Sequence, residues 1–300
     1  MSVPPKPVSI SFVVAQAFLP VRFANVLYSF RTIMITSTEA IILKSTKYRD
    51  SAKLLTAYTE AFGRCSLIAN GARSAKNKYG TALEPMSCSS LTFYKKQNKD
   101  LHTLSGAEAS VRLRNISESF ERMTTGLAMC EIIYASQIHE EQNTDVYQLL
   151  KSCLLALNTI EDGAESSLLV WFQIRYASVL GFALNPSICA ASGESVLVQY
   201  LPEAESSPHS EKEYIVSLAD GAPFSEVYAR INTGFRMRSA TLHALQTLYA
   251  TSLENVGQYR LTAQQISQLD DFFALYYQFH LERSLADKTR RFMQSVAAAG

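Results

Sequence analysis

The sequence predicts an α+β fold in which a small β-barrel is followed by a helical domain. Apolar residues alternate from residue 38 to about residue 104, which is typical of strands. After Arg114 they recur at helical spacing. The chain has 300 residues, of which 47% are apolar, so it is long enough for two or three modules with buried cores.

Five short strands are predicted in the barrel, and turn residues separate them. Gly63 is expected to form the turn between the second and third strands, and Gly71 to end the third, because glycine permits the positive φ that such corners need. Five strands of this length fit an OB-fold, which we place at residues 34–112. The predicted strands cover residues 39–44, 53–59, 64–69, 87–94 and 100–104.

The helical domain is predicted in two parts, residues 113–184 and 224–300. Thr262 is the expected N-cap of the longest helix, because its hydroxyl can accept a hydrogen bond from a free backbone amide. The apolar face of that helix comprises Leu269, Phe272, Phe273, Tyr276 and Phe279. The predicted helices cover residues 120–138, 146–157, 168–179, 225–231, 239–253, 262–281 and 287–296.

An irregular insert, residues 185–223, separates the two helical parts. It contains Pro186, Gly193 and a polar run, which are signals of loops rather than of long elements. Strand-like pieces at residues 196–201 and 214–218 predict a small hairpin within it.

Residues 1–33 are set apart from the predicted fold. Their apolar run, residues 8–18, is too short to span a bilayer, and no cleavage-site pattern follows it. Because Met34 stands immediately before the first strand pattern, we interpret residues 1–33 as the product of a start codon assigned too early, or as a disordered extension. No association with a membrane is expected.

The cysteines argue against a disulfide framework. They are odd in number, widely spaced and without a C-x-x-C pair, which also argues against a complete zinc site. A reducing cytoplasm is the expected compartment. The five are Cys65, Cys88, Cys130, Cys153 and Cys189.

Charge is divided between the two predicted domains. Residues 34–114 contain 13 Lys and Arg against 6 Asp and Glu, whereas residues 115–300 contain 12 against 21. A basic module beside an acidic one is typical of a protein that meets a polyanion through one domain. A chance imbalance in a small lysine-rich domain is the alternative.

The basic residues of the barrel are concentrated at predicted loops and strand ends, where an OB-fold presents its ligand face. Cations there can bind phosphates, and aromatic rings can stack on unpaired bases for about 1 to 3 kcal/mol per base. Tyr58 and Phe93 are expected to fill the barrel, whereas Tyr48 and Tyr79 could equally pack or stack. The predicted nucleic-acid-binding residues are Lys44, Lys47, Arg49, Arg64, Arg73, Lys76, Lys78, Lys95 and Lys96. The alternative is that these cations only solvate the barrel.

Motifs of catalysis are absent from the sequence. It contains no glycine-rich nucleotide-binding loop and no nucleophile elbow, and His139-Glu140-Glu141 lacks the second histidine of a zinc-protease motif. The five histidines do not pair at helical spacing. We therefore predict that the protein is not an enzyme; a catalytic site assembled in space is the least favoured hypothesis.

Several segments resemble RecO proteins, a family of bacterial recombination mediators, in their order and spacing. Those that resemble the opening of the family are TEAIILK at 38–44, YRDS at 48–51, YTE at 58–60, GR at 63–64, GAR at 71–73 and LEP at 83–85. Segments 180–182, 185–186 and 189–193 are similar to the family's zinc-binding region, and KTR at 288–290 to its closing motif. The resemblance covers residues 34–300.

The resemblance implies an OB-fold barrel, a helical bundle and a degenerate zinc-finger-like insert at residues 185–223. Where many relatives have a C-x-x-C knuckle and a second cysteine pair, this chain has Cys189 followed by Ser192, and residues 221–225 contain no cysteine. The zinc site is therefore expected to be lost, leaving no cofactor and a hairpin held by packing. Asn70 stands where lysine is common, which puts one phosphate contact in doubt.

The resemblance also implies a function in recombinational repair of DNA damage. That function comprises binding single- and double-stranded DNA, annealing complementary strands, and acting with RecR to load recombinase onto strands coated by single-strand-binding protein (SSB). The implied location is the cytoplasm, in association with the nucleoid. The family binds the acidic, phenylalanine-ended SSB tail through its helical domain, and Arg175 is the cation that we assign to this role. The alternative function is a scaffold that binds a partner peptide without direct affinity for DNA.

Overall fold

The structure, a computed structural model, confirms the predicted α+β class. It describes residues 33–96, 99–198 and 212–281, with the side chains of Ile33 and Lys96 outside the description. In this part of the chain a closed five-stranded barrel precedes a helical region. The predicted helix at 287–296 and residues 1–32 lie outside the described residues.

The barrel has the strand order β1-β2-β3-β5-β4, which fits an OB-fold. Neighbouring strands pair antiparallel except β3 and β5, which are parallel. The first strand pairs with both β2 and β4, and an irregularity between Ile42 and Lys44 lets it bend from one to the other. The strands are β1 (Ile33–Tyr48), β2 (Ala52–Thr59), β3 (Gly63–Ala69), β4 (Cys88–Lys96) and β5 (Leu101–Ala109).

The barrel has its own apolar core, separate from that of the helices. Phe93 is fully buried in it, and Tyr79, from the loop between β3 and β4, joins it at 5% exposure, so Tyr79 packs rather than stacks. The prediction that Tyr58 fills the barrel is wrong. Side chains alternate along β2, so Ala57 faces the barrel core and Tyr58 faces the helices, where it is fully buried.

The helical region is built around α4, which is buried on nearly every side. It packs against α2, α3, α6 and α7. Within the described ranges, no helix is long and apolar enough to cross a membrane. The helices are α1 (Arg114–Glu118), α2 (Phe120–Ser136), α3 (Thr144–Thr159), α4 (Glu165–Val179), α5 (Glu226–Ala229), α6 (Ser239–Ala250) and α7 (Ala263–Leu281), with a short 3₁₀ turn at Leu253–Gln258.

The start of α7 is capped as predicted. The Thr262 hydroxyl accepts from the Gln265 amide at 3.3 Å, and the Gln265 side chain accepts from the Thr262 amide at 2.9 Å, which is a capping box. The predicted buried face needs one correction. Tyr277 takes the place assigned to Phe279 and donates to the Gln173 carbonyl at 2.7 Å. Phe279 lies at the edge of this face, two residues before the helix ends, and is 55% exposed.

The prediction of a hairpin within the insert is wrong. Strand β6 (Glu213–Val216) pairs with β7 (Phe235–Arg238), which lies beyond the insert. The piece expected to pair with β6 has other partners, because the Val198 amide donates to the Gln246 side chain of α6. Residues 199–201 lie outside the description. A zinc-finger-like character of the insert is not confirmed.

The loop between β3 and β4 connects the barrel to the helices through Met86. The Met86 amide donates to the Ile42 carbonyl at 2.8 Å, and its side chain packs against the helical core. It faces Gly126 of α2, where an added Cβ would lie 2.4 Å from the Met86 sulfur. A glycine at this point of α2 therefore makes room for the loop.

Candidate nucleic-acid interface

The structure divides the predicted DNA-binding residues into two groups. One group, which we call the loop cluster, occupies the end of β1, the β1–β2 turn and the loop between β3 and β4. The other lies where the barrel meets the end of α2 and the segment that follows it. The loop cluster consists of Lys47, Arg49, Arg73, Lys76 and Lys78, and the second group of Lys44, Arg64 and Lys95. The side chain of Lys96 is outside the description.

Two hydrogen bonds from Arg73 to backbone carbonyls of the β1–β2 turn bring the parts of the cluster together. The Arg73 guanidinium donates to the Arg49 carbonyl at 3.1 Å, and the Arg73 amide donates to the Ser51 carbonyl at 2.9 Å. Arg49 adopts the left-handed conformation, with φ of 50°, and its guanidinium lies 5.1 Å from the Tyr48 ring. Cations that are distant in sequence are thus held at one end of the barrel.

The loop cluster keeps its charge available. Within the described part of the chain, none of its five members forms an ion pair with a carboxylate. Lys78 donates to the Ser105 carbonyl at 2.6 Å, which is a neutral partner. Lys47 faces Lys53 across β1 and β2, and only Lys53 is neutralised, by Glu84 at 2.8 Å. A surface of this kind attracts a polyanion.

Arg64 and Lys44 hold the helical domain against the barrel. The Arg64 guanidinium donates to the Tyr134 carbonyl at 2.5 Å and lies 5.5 Å from the centre of the Tyr134 ring. Lys44 approaches the same ring at 5.0 Å. Arg64, predicted as a phosphate ligand, is therefore committed to a contact within the protein, whereas Lys44 stays exposed.

Lys95 and His102 bind one carboxylate of the helical domain. The Lys95 ammonium lies 2.7 Å from one oxygen of Glu140, and His102 Nε2 lies 2.5 Å from the other. Burial alone would raise the pKa of Glu140, but the hydrogen bonds from Lys95 and His102 outweigh it and hold the pKa below its ordinary value. Glu140 is thus ionised at neutral pH, and His102 Nε2 must carry the proton that it donates.

Arg175 is bound to the end of α6. Its guanidinium donates to the carbonyls of Tyr249 and Thr251 at 2.8 and 3.1 Å, and it lies over the Trp171 ring at 5.2 Å. The Trp171 indole donates to the same Thr251 carbonyl at 2.8 Å. Arg175 therefore stabilises the carboxyl end of a helix, and part of its surface remains accessible beside two aromatic rings.

The described residues around Cys189 do not supply the ligand set of a structural zinc site. Burial raises the pKa of Cys189, but hydrogen bonds from the Ser192 side chain and from nearby backbone amides lower it more, to about 6. Such a thiolate could bind a metal, yet a structural zinc needs four ligands. Within the described ranges, no three His, Cys, Asp or Glu side chains are grouped closely enough to hold an ion.

Some residues of interest were not found by sequence reasoning. Arg112 and Arg114 are exposed where β5 leads into the helices, and only their contribution to the charge count hinted at them. His102 and Glu140 are 38 residues apart, so no local pattern connects them. The irregular segment between α2 and α3 brings them together.

The chain matches the description "Recombination protein O N terminal" over residues 34–111 and "Recombination protein O C terminal" over residues 117–289. It is 28% identical over 264 residues to the DNA repair protein RecO of Prosthecochloris aestuarii, a match that covers 88% of this chain and 98% of that protein. The corresponding protein of Chloroherpeton thalassium is 25% identical over 266 residues, with 88% and 99% covered. That of Syntrophus aciditrophicus is 34% identical over 153 residues, with 51% and 58% covered. The chain therefore belongs to the RecO family of DNA repair and recombination proteins.

Proposed function

We propose that the protein is a recombination mediator that binds single- and double-stranded DNA through its barrel and anneals complementary strands. The loop cluster is the observation that carries this proposal, because it presents five cations from the β1–β2 hairpin and the loop between β3 and β4 without a carboxylate partner in the described residues. Membership of a DNA repair family supports the same role. The proposal includes no catalytic step and no cofactor, and it places the protein in the cytoplasm with the nucleoid.

Annealing requires a surface that acts on phosphates and leaves the bases free. Two DNA backbones repel each other, and cations that contact both lower the repulsion without reading sequence. The aromatic residues of the barrel fit this requirement, because Phe93 and Tyr79 are buried and cannot stack on bases. Tyr94, at 37% exposure, is the more accessible ring. We therefore expect little preference for base sequence.

Binding and annealing of fluorescent oligonucleotides, measured over a range of salt concentrations, test the proposal. If all five members of the loop cluster contact phosphates, the logarithm of the affinity for single-stranded DNA falls with a slope of about 3.5 against the logarithm of salt. Oligonucleotides of unrelated sequence should bind alike, and complementary ones should anneal faster with the protein than without it. Binding that ignores salt would contradict the proposal.

We also propose that RecR and SSB are partners and that, with RecR, the protein loads recombinase onto SSB-coated strands. For SSB, an acidic tail ending in phenylalanine suits the surface of Arg175, where a partly exposed guanidinium lies beside the rings of Trp171 and Tyr249. Trp171 is buried, so the half-buried Tyr249 ring is the one that can take an apolar side chain, and the cation can take a carboxylate.

Replacing Arg175 with glutamine should weaken binding of a fluorescent SSB-tail peptide about tenfold, as expected for loss of one charged hydrogen bond. Arg260 supplies a matched control, because it also donates to backbone carbonyls, those of Asp162 and Tyr259. The Arg260→Gln variant should bind the peptide like the wild type. Equal weakening in both variants would indicate a general loss of stability and contradict the assignment.

Peptide binding by a protein without DNA affinity would instead select the scaffold function.

A further inference from the structure

Lys95 and His102 lie next to each other at one end of the barrel and both bind the Glu140 carboxylate. Lys95 is near the end of β4, and His102 is the second residue of β5. Each binds a different oxygen of the Glu140 carboxylate, at 2.7 and 2.5 Å. The pair therefore binds an anion through two converging donors.

The barrel holds these donors in place by itself. The His102 side chain is 0% exposed, and its ring stacks on Phe93 with 5.6 Å between centroids. The Lys95 ammonium lies 4.4 Å from the centre of the Phe62 ring, and the Lys95 side chain is 23% exposed. Because both supports belong to the barrel, the site does not depend on Glu140 for its shape, and solvent reaches it from the side of Lys95.

The carboxylate comes from a different part of the chain. Glu140 lies in the irregular segment between α2 and α3, and its backbone has a φ of 57°, which is unfavourable for a residue with a side chain. Its amide donates to the Arg64 carbonyl at 2.9 Å, and Ile138, two residues earlier in the segment, is 56% exposed. A short segment without regular structure thus places a negative charge on the cation site.

We propose that Lys95 and His102 form a binding site for a phosphodiester of the DNA backbone, and that Glu140 occupies this site when DNA is absent. This inference rests on the proposed function. A phosphodiester offers two non-bridging oxygens, so it can accept from both donors as the carboxylate does. DNA must displace Glu140 to reach the site, and the exchange lowers the affinity of the resting protein.

Glu140→Gln tests the competition, and Glu141→Gln is its matched control. Both substitutions remove one negative charge from the same segment, but Glu141 is exposed and forms no ion pair with another described residue. The Glu140→Gln variant should bind single-stranded DNA about five- to tenfold more tightly, with a salt slope larger by about 0.7, because one more phosphate contact forms. Adding Lys95→Gln to this variant should return the affinity to the wild-type level.

Unchanged or weaker binding by Glu140→Gln would overturn the inference, as would an equal gain in Glu141→Gln. A second measurement needs no variant. Hydrogen exchange of residues 138–142 in the wild type should become faster when an oligonucleotide is bound, because the segment leaves the barrel, and slower or unchanged exchange would also overturn the inference. If the wild type binds no DNA at any salt concentration, the proposed function itself fails, which is a separate outcome.

Discussion

Replacing Lys47, Arg73 and Lys76 together with glutamine is expected to weaken the binding of single-stranded DNA about a hundredfold at about 0.1 M salt. The three side chains are exposed and form no ion pair with a described carboxylate. Lys47 lies at the end of β1, and Arg73 and Lys76 lie in the loop between β3 and β4. Each lost phosphate contact lowers the salt slope by about 0.7, so the slope should fall by about 2. Fluorescence anisotropy at several salt concentrations measures both quantities.

A charge-matched control separates the loop cluster from the overall charge of the molecule. Lys212, Arg230 and Arg236 are also exposed, but they belong to the insert and the helical part. Their replacement with glutamine removes the same charge and should leave DNA affinity within about twofold of the wild type, since screening limits the reach of distant charges to about 10 Å. If the loop-cluster variant bound like the wild type, or if both variants weakened equally, the interface would be misplaced.

Replacing Gly63 with alanine is expected to lower the free energy of unfolding by about 3 kcal/mol or more. Gly63 has a φ of 63°, where a side chain is disfavoured, and an added Cβ would lie 1.9 Å from the carbonyl oxygen of Glu141. The clash involves backbone atoms, so a rotation of a side chain cannot relieve it. Urea unfolding followed by circular dichroism measures the loss.

Gly80 offers the control for this prediction. It also has a positive φ, of 54°, but an added Cβ there would meet no atom within 4 Å. Gly80→Ala should therefore cost only the conformational strain, about 1 kcal/mol. Equal losses of unfolding free energy in the two variants would show that a clash with the Glu141 carbonyl does not contribute to the effect of Gly63→Ala. The clash with the Glu141 carbonyl in Gly63→Ala should also displace the segment that carries Glu140.

The sequence predicted the barrel because its signals are local. Alternation along β2 and β3, with Gly63 between them, defines a strand pair without any knowledge of the rest of the chain. The same alternation shows that Ala57 and Tyr58 face opposite sides, but not which side is the interior of the barrel. That choice depends on the helices that pack against Tyr58, so it could not be made from β2 alone.

The errors lie where partners are distant in sequence. The short strand β7, with the sequence FRMR, was not predicted, and its pairing with β6 depends on the tertiary structure. The cations of the loop cluster could be predicted from composition and turn position. The hydrogen bond from Arg64 to Tyr134 and the ion pair of Lys95 with Glu140 could not be predicted, because each partner lies beyond the barrel, in the helical part of the chain.

The packing of Met86 against Gly126 has a consequence for the entropy of binding. The loop between β3 and β4 is fixed near Arg73 by the Ser51 carbonyl, at Lys78 by the Ser105 carbonyl, and at its far end by Met86 in the helical core. A loop secured at three points loses little backbone freedom when it meets a ligand. The backbone that carries the cationic side chains is therefore already ordered in the folded protein. The entropy cost of ordering this loop belongs to folding, so it does not reduce the affinity for the ligand.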